Sequence, residues 1–258
     1  MQRFKQILAT GQLCKIFCVG RLMHPAVFDV HAMVGGFHGF WIDSEHAGVT
    51  YEQVCMASVA GRAWDLDCFV RMATTNYSNV TQFLEAGAGG VMAARVDKAS
   101  EAEEFVQWCK FWPRGRRGLN TSGFDADYGG KTLAELAEAN NKNSFVAIQI
   151  ETLGALAECD QIAAIADVDL LFVGPADLSQ EMGIIGQWDH PRIWEAYRAV
   201  VAAAKRHGKH VGTICPNPDF ARKAYDAGVR MLSFGMDIMM LRKGVEATKE
   251  AYRDLFAL

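Results

Sequence analysis

Eight short apolar runs alternate with longer amphipathic stretches along the chain, and this alternation limits the folds that it can adopt. The apolar runs predict strands near 15–20, 36–43, 67–72, 89–95, 145–151, 169–175, 210–215 and 230–237. The stretches between them predict helices near 25–34, 50–62, 77–87, 99–110, 152–166, 191–207, 217–227 and 238–255. Strict strand–helix alternation indicates a parallel sheet. At 258 residues, a single closed (β/α)8 TIM barrel domain spanning 1–258 is favoured over an open doubly wound sheet.

Composition argues against several classes of protein. The net charge of −4 and the absence of a long basic run argue against nucleic-acid or anionic-membrane partners. No apolar stretch is long enough to cross a bilayer, and the N-terminus lacks the apolar segment of a signal peptide. The seven cysteines are scattered without a Cys-x-x-Cys pair, which indicates free thiols rather than disulfides or a zinc site. We therefore expect a cytoplasmic protein.

Two acidic residues follow consecutive buried strands. Glu151 ends the fifth predicted strand, and Asp177 ends the segment Gly-Pro-Ala-Asp at 174–177 after the sixth. Active sites of (β/α)8 barrels lie at this end of the strands, and an acid there is unfavourable unless positive charge meets it. The pair predicts one Mg²⁺ or Mn²⁺ ion, completed by water and a chelating substrate. The alternatives are ion pairs with Arg71 or Arg95, or a helix N-cap formed by Asp177.

Other polar groups end neighbouring strands at the same rim. His46 follows Asp43 by three residues, a spacing that lets the carboxylate hold the imidazole and raise its basicity. Arg71 ends the third strand, where a guanidinium binds a carboxylate, stabilises a developing oxyanion, or only neutralises the acids. Arg95 ends the fourth strand in the same way, with a purely structural role as an equal alternative. The backbone amide of Ala176 is a candidate contact for a substrate carboxylate.

The stretch 111–144 is the one long interruption of the alternation. It is rich in glycine and contains a short helical pattern near 131–140. Because it follows the fourth strand, we expect it to lie over the barrel mouth, as functional lids do.

Several short segments carry the site residues together with their immediate neighbours. They are 42–47 (Ile-Asp-Ser-Glu-His-Ala), 70–71 (Val-Arg), 83–88 (Phe-Leu-Glu-Ala-Gly-Ala), 116–118 (Arg-Arg-Gly), 149–152 (Gln-Ile-Glu-Thr), 173–179 (Val-Gly-Pro-Ala-Asp-Leu-Ser) and 234–237 (Phe-Gly-Met-Asp). In this combination, and over most of its length, the chain resembles the HpcH/HpaI aldolase family. Its members are metal-dependent class II aldolases that act on pyruvate, and they include 2-keto-3-deoxy sugar acid aldolases.

The resemblance implies catalytic roles and an assembly. His46 would be the base, oriented by Asp43, and Arg71 would bind the substrate and stabilise its enolate. Glu85 occupies the position of an aspartate that usually reaches the site of a neighbouring subunit and supports its histidine. The family also implies a homohexamer, a trimer of dimers that exchange the last helix, here near 238–255.

The resemblance also implies the ligands of the site. Glu151 and Asp177 would hold a divalent metal ion, either Mg²⁺, Mn²⁺ or Co²⁺. Gln149 and the backbone at Gly174 and Ala176 would contact the small 2-keto acid substrate.

The predicted reaction is the reversible cleavage of a 2-keto-4-hydroxy acid to pyruvate and an aldehyde. No lysine ends a strand in the right place for a Schiff base, which agrees with a metal-dependent mechanism. Arg95 and the segment 20–25 depart from the usual family pattern, and both shape the pocket for the aldehyde. Two alternatives stay open. One is an oxaloacetate decarboxylase or another lyase that uses the same enolate, and the other is a non-catalytic barrel that binds a ligand.

Overall fold

Eight parallel strands close into one barrel in the order of the chain, which confirms the predicted (β/α)8 fold. The structure is a computed structural model and describes residues 3–258. The strands are β1 (Cys14–Val19), β2 (Gly39–Asp43), β3 (Asp67–Ala73), β4 (Gly90–Ala94), β5 (Phe145–Ile150), β6 (Leu170–Val173), β7 (His210–Ile214) and β8 (Met231–Met236). Each strand pairs in parallel with the next, and β8 pairs with β1. All the carboxyl ends of the strands therefore open at one mouth.

Helices follow the strands in the predicted alternation, and most of them cover the outside of the barrel. They are α1 (Arg3–Ala9), α2 (Pro25–Val34), α3 (Tyr51–Ala63), α4 (Tyr77–Glu85), α5 (Ala99–Cys109), α6 (Leu133–Asn143), α7 (Leu153–Ala157), α8 (Cys159–Ala164), α9 (Pro175–Glu181), α10 (Pro191–Arg206), α11 (Pro218–Ala227), α12 (Asp237–Ala251) and α13 (Arg253–Phe256). A 3₁₀ segment, Phe124–Gly129, lies between α5 and α6.

Three helical features differ from the sequence prediction. The predicted helix 152–166 is two helices, α7 and α8, because Glu158 leaves helical geometry and its carboxylate instead accepts the backbone amide of Ala99 at 2.6 Å. The segment 174–177, for which no helix is predicted, contains the start of α9, whose first residue is Pro175, a favoured first helical residue. The short helix α1 has no predicted counterpart, since 7 residues carry too little periodicity.

The core has two layers. Inside the barrel, α1 and the strands contribute the buried side chains Phe4, Leu8, Ile16, Trp41, Phe69, Met92, Phe145, Leu170, Phe172 and Met231. Phe4 closes the end opposite to the mouth, where its ring centroid lies 5.7 Å from those of both Phe69 and Phe145. A second, larger layer lies between the strands and the outer helices. The mouth is therefore the open end of a barrel that is packed behind it.

The long segment 111–144 does not lie over the mouth, and the expectation of a lid is wrong. It begins only after α5, which returns the chain to the opposite end of the barrel. There the guanidinium of Arg114 pairs with Asp167, just before β6, at 2.8 Å. Farther along, the ring of Phe124 lies 3.6 Å from the guanidinium carbon of Arg62, beside the outer helices. Because α5 lies between β4 and this segment, the segment begins at the end of the barrel opposite to the mouth.

The C-terminal helix α12 leaves the barrel after β8. Residues 241–258 are all exposed, and among them are the apolar side chains of Leu241, Val245, Tyr252, Leu255, Phe256 and Leu258. A groove of about 930 Å³ separates α12 from α2 and is lined mainly by apolar side chains. Such a contiguous apolar surface is typical of an interface between proteins. No helix in the described chain combines the length and the apolar character needed to span a membrane.

Because Phe4 of α1 closes the lower end of the barrel, we expect a strict requirement for glycine at position 39. A Cβ at Gly39 would overlap the backbone oxygen of Asp67 and lie 2.5 Å from the Phe4 ring, so Gly39→Ala is expected to lower the free energy of unfolding by about 1–3 kcal/mol through overpacking. Thermal unfolding of the two proteins measures the change. Gly48→Ala is the matched control, because a Cβ there meets no atom within 4 Å. Equal melting temperatures for the two variants would contradict this packing.

Candidate active site

The carboxylate of Glu151 is buried at the mouth without a cationic side chain. It follows β5 and is 0 % exposed. Its Oε1 accepts the backbone amide of Arg95 at 2.8 Å, and its Oε2 accepts the side-chain amide of Gln149. No Lys, Arg or His side chain within residues 4–258 forms an ion pair with it, so the structure does not support the predicted alternative of a salt bridge. Burial raises the pKa of Glu151 to about 7, and the negative charges of Glu45 and Asp177 add to the rise, against the lowering effects of the Arg95 amide and of the Arg71 charge.

Oxygen atoms gather around this carboxylate. Asp177 is half-buried in the first turn of α9, whose N-cap is Gly174 rather than Asp177. The Oε1 atom of Gln149 is buried and has no hydrogen-bond partner in the described chain. A Cβ at Gly174 would lie 2.7 Å from Oε2 of Glu151, so only glycine leaves this space open. Asp177 is near enough to Glu151 for its negative charge to raise the pKa of that carboxyl, so the two acids remain the candidates for a shared ion.

The donor set fits a hard divalent cation. Two carboxylates and an unpartnered amide oxygen are the ligands that Mg²⁺ and Mn²⁺ prefer. The described residues contain no group of three or more His, Cys, Asp or Glu side chains arranged to hold a metal. Glu151 and Asp177 would therefore leave several positions of an ion open to water or substrate, as at catalytic Mg²⁺ sites.

Arg71 lies beside two other acids. Its side chain is nearly buried, with Nη2 2.9 Å from Oδ2 of Asp43 and Nη1 3.2 Å from Oε2 of Glu45. The guanidinium also covers the ring of Trp41, at 4.9 Å from its centroid. These contacts hold the guanidinium in one orientation at the end of β3. Glu45 was not singled out in the sequence, although it stands between two candidates in the segment 42–47.

The expected contact between Asp43 and the imidazole of His46 is wrong. Oδ1 of Asp43 instead accepts the backbone amides of Glu45 at 3.1 Å and His46 at 3.2 Å, and both carboxylate oxygens also contact the guanidinium of Arg71. A short acidic side chain at a turn bonds readily to the amides that follow it, which explains the difference. The imidazole is exposed, and its Nε2 lies 3.7 Å from Oε2 of Glu45.

An acid at the end of β8 holds the first loop of the mouth. Oδ2 of Asp237 accepts three consecutive backbone amides, from Gly20 at 3.0 Å, Arg21 at 2.9 Å and Leu22 at 2.7 Å. The guanidinium of Arg21 then donates to the backbone carbonyl of His46 at 2.8 Å. The sequence analysis included Asp237 in the segment 234–237 but did not predict this clamp.

Two candidates do not join the site through their side chains. Glu85 ends α4 and accepts a hydrogen bond from Asn120 at 2.9 Å, so a role in catalysis would have to be in another subunit. Arg95 reaches Glu151 through its backbone amide, in a left-handed conformation with φ of 56°. Its guanidinium lies 3.6 Å from Glu181 of α9. The structural alternative for the Arg95 side chain is therefore supported.

The sequence pattern of the HpcH/HpaI aldolase/citrate lyase family matches residues 30–244. The chain belongs to this family. It is similar to the 5-keto-4-deoxy-D-glucarate aldolase of Klebsiella pneumoniae, with 28% identity over 97% of this chain and 96% of the relative. It is also similar to the 4-hydroxy-4-methyl-2-oxoglutarate aldolase of Hapsidospora irregularis, with 34% identity over 82% of this chain and 80% of the relative. The crystal structure of an HpcH/HpaI aldolase from Desulfitobacterium hafniense superposes with a TM-score of 0.89 at 29% identity, covering 97% of this chain and 98% of that one.

The titration of the buried Glu151 carboxyl should be measurable as a change of stability with pH. The native pKa of Glu151 is about 7 against 4.5 in the unfolded chain. The folded state therefore binds the proton more tightly, and stability present below pH 4.5 is lost as the pH rises through about 7. In EDTA-treated protein we expect this loss to reach about 3 kcal/mol, and Glu151→Gln to abolish it.

Urea unfolding between pH 4.5 and pH 8 measures this pH dependence in both proteins. Glu138→Gln, at an exposed position of α6, is the control and should keep the wild-type slope. A Glu151→Gln variant with the wild-type slope would show that this carboxyl does not titrate in the window.

Proposed function

We propose that this protein is a divalent-metal-dependent class II aldolase that reversibly cleaves a 2-keto-4-hydroxy acid to pyruvate and an aldehyde. The observation that carries the proposal is the buried Glu151 carboxylate, which feels the negative charge of Asp177 and forms no ion pair with a described side chain. Curated relatives of the chain are named as aldolases, which supports the same reaction type.

The acids of the mouth would bind the ion, and the ion when bound would supply Lewis-acid polarisation of the substrate's 2-keto group. Glu151 and Asp177 are its protein ligands in this proposal. Gln149 would use its unpartnered Oε1 toward a ligand of the site, while its amide nitrogen keeps Glu151 in place. The backbone at Gly174 and Ala176 would position the substrate carboxylate.

Arg71 and His46 would handle charge and proton in this mechanism. Arg71 retains N–H donors beyond those used by Asp43 and Glu45, and they would stabilise negative charge on the keto oxygen. The exposed imidazole of His46 would accept the proton of the 4-hydroxyl as the C3–C4 bond breaks. Glu45 would favour the imidazolium that results, since its carboxylate lies near the ring.

The exposed apolar surface of α12 supports the proposal of a hexamer, built from dimers that exchange this helix. In the single chain, Leu241, Val245 and Phe256 project from α12 and α13 without a covering layer, beside the groove along α2. An exchanged helix from a second copy would cover this surface and bring Glu85 near a neighbouring mouth. A cytoplasmic location is supported by the seven cysteines, all of which are free thiols.

The proposed activity is tested by pyruvate release from 4-hydroxy-2-oxoglutarate, coupled to lactate dehydrogenase. EDTA is expected to abolish turnover, and Mg²⁺, Mn²⁺ or Co²⁺ to restore it. Glu151→Gln should lower the turnover rate by more than the roughly 100-fold that is typical when an outer-shell metal partner is lost. His46→Asn should lower the turnover rate by about 100- to 10,000-fold. His207→Asn, which removes an imidazole on the outside of α10, is the control for the histidine. Turnover of oxaloacetate without cleavage of the hydroxy acid would contradict an aldolase.

The assembly is tested by molar mass from light scattering. The wild-type protein is expected to be a hexamer, and Val245→Asp to produce smaller species, because it places a charge on the apolar surface of α12. Glu246→Ala on the exposed side of the same helix is the control. A Val245→Asp protein of unchanged mass would show that α12 does not form the interface.

A further inference from the structure

Three arginines follow or end strands at the mouth, and they differ in their partners. Arg71 is held by two carboxylates, and Arg95 lies beside one. Arg21, in the loop after β1, forms no ion pair with any acid in residues 3–258. Its one hydrogen bond from the guanidinium goes to the carbonyl of His46. Most of the five N–H donors of this guanidinium therefore remain available to a ligand.

The position of Arg21 is fixed rather than incidental. Its backbone amide is the middle one of the three that Asp237 holds, and its guanidinium bonds to the residue that is the candidate base. In the proposed reaction, the base takes the proton from the 4-hydroxyl. A substituent on C4 of the substrate would then lie near the loop of His46, whose backbone carbonyl Arg21 contacts.

The charge of the surroundings gives this guanidinium a specific use. Asp43 and Glu45 share the single charge of Arg71, and Asp237 forms no ion pair with a described side chain, so an excess of negative charge repels a second anionic group even when a dication neutralises Glu151 and Asp177. An arginine without an acidic partner compensates this repulsion locally. The fork of N–H donors also matches the two oxygens of a carboxylate.

We propose that Arg21 binds a second, distal carboxylate of the substrate, on the side of the aldehyde product. The substrate class is then a 2-keto-4-hydroxy acid that carries a carboxylate beyond C4, and the aldehyde product is itself anionic. This assignment rests on the proposed aldolase function, since it takes the 2-keto acid head group to be bound at Glu151 and Asp177.

Binding of two matched, uncleavable ligands to the Mg²⁺-loaded protein tests the assignment by calorimetry. 2-Oxoglutarate and 2-oxopentanoate share the five-carbon 2-keto acid chain and differ in a distal carboxylate against a methyl group. The wild-type protein is expected to bind 2-oxoglutarate about 10- to 100-fold more tightly, the range of charge-assisted hydrogen bonds. Arg21→Ala should remove this preference, and Arg21→Lys should keep part of it, because the charge stays while the fork is lost.

The controls separate the possible outcomes. Arg198→Ala removes an exposed guanidinium from α10, and should keep the full preference. Equal affinity of the wild-type protein for the two ligands, or an unchanged preference in Arg21→Ala, overturns the role of Arg21 while leaving the proposed aldolase intact. Binding of neither ligand in the presence of Mg²⁺ overturns the proposed function and this assignment together. Equal weakening of both ligands in Arg21→Ala assigns the residue to loop structure alone and rejects the proposal.

Discussion

A carboxylate held in the barrel without a counterion is the constraint on which the mouth depends. Glu151 is fixed by two amide donors, one from the Arg95 backbone and one from Gln149, and neither carries a charge. Hydrogen bonds alone leave the anion poorly solvated, which is why its pKa rises to about 7. A bound dication would relieve this cost, whereas a lysine or arginine would relieve it permanently and close the site. The arrangement keeps the negative charge available to a ligand that can also hold a substrate.

Carboxylates organise the remaining loops of the mouth by collecting backbone amides. Asp43 holds two amides of the loop after β2, and Asp237 holds three amides of the loop after β1. Arg21 then connects the two loops through the carbonyl of His46. The candidate base thus sits on a loop that is fixed from two sides, and its imidazole remains exposed. Rigid support with an accessible reactive group is what proton transfer to a bound substrate requires.

The barrel and the strands that carry the site were predictable because parallel strands buried on both faces are continuous apolar runs. Their ends located Glu151 and Asp177 without further information. The partners of each side chain were not predictable, since they depend on contacts across the fold. Asp237 meets its amides 215 to 217 positions away in sequence. The spacing from Asp43 to His46 allows the carboxylate to contact either the imidazole or the backbone amide of His46. In the structure it accepts the backbone amide, and the contact expected with the imidazole is not formed.

The clamp on the first loop is made entirely of main-chain donors, and this has an evolutionary consequence. Asp237 makes no use of the side chains of Arg21 and Leu22, so these two can be exchanged while the clamp on the backbone persists. Arg95 supports Glu151 in the same way, through an amide that most residues possess. Variation at these two places would alter which compounds enter the barrel without dismantling the machinery beneath. In such a scaffold, single substitutions at the rim can change the substrate specificity with little loss of folding stability.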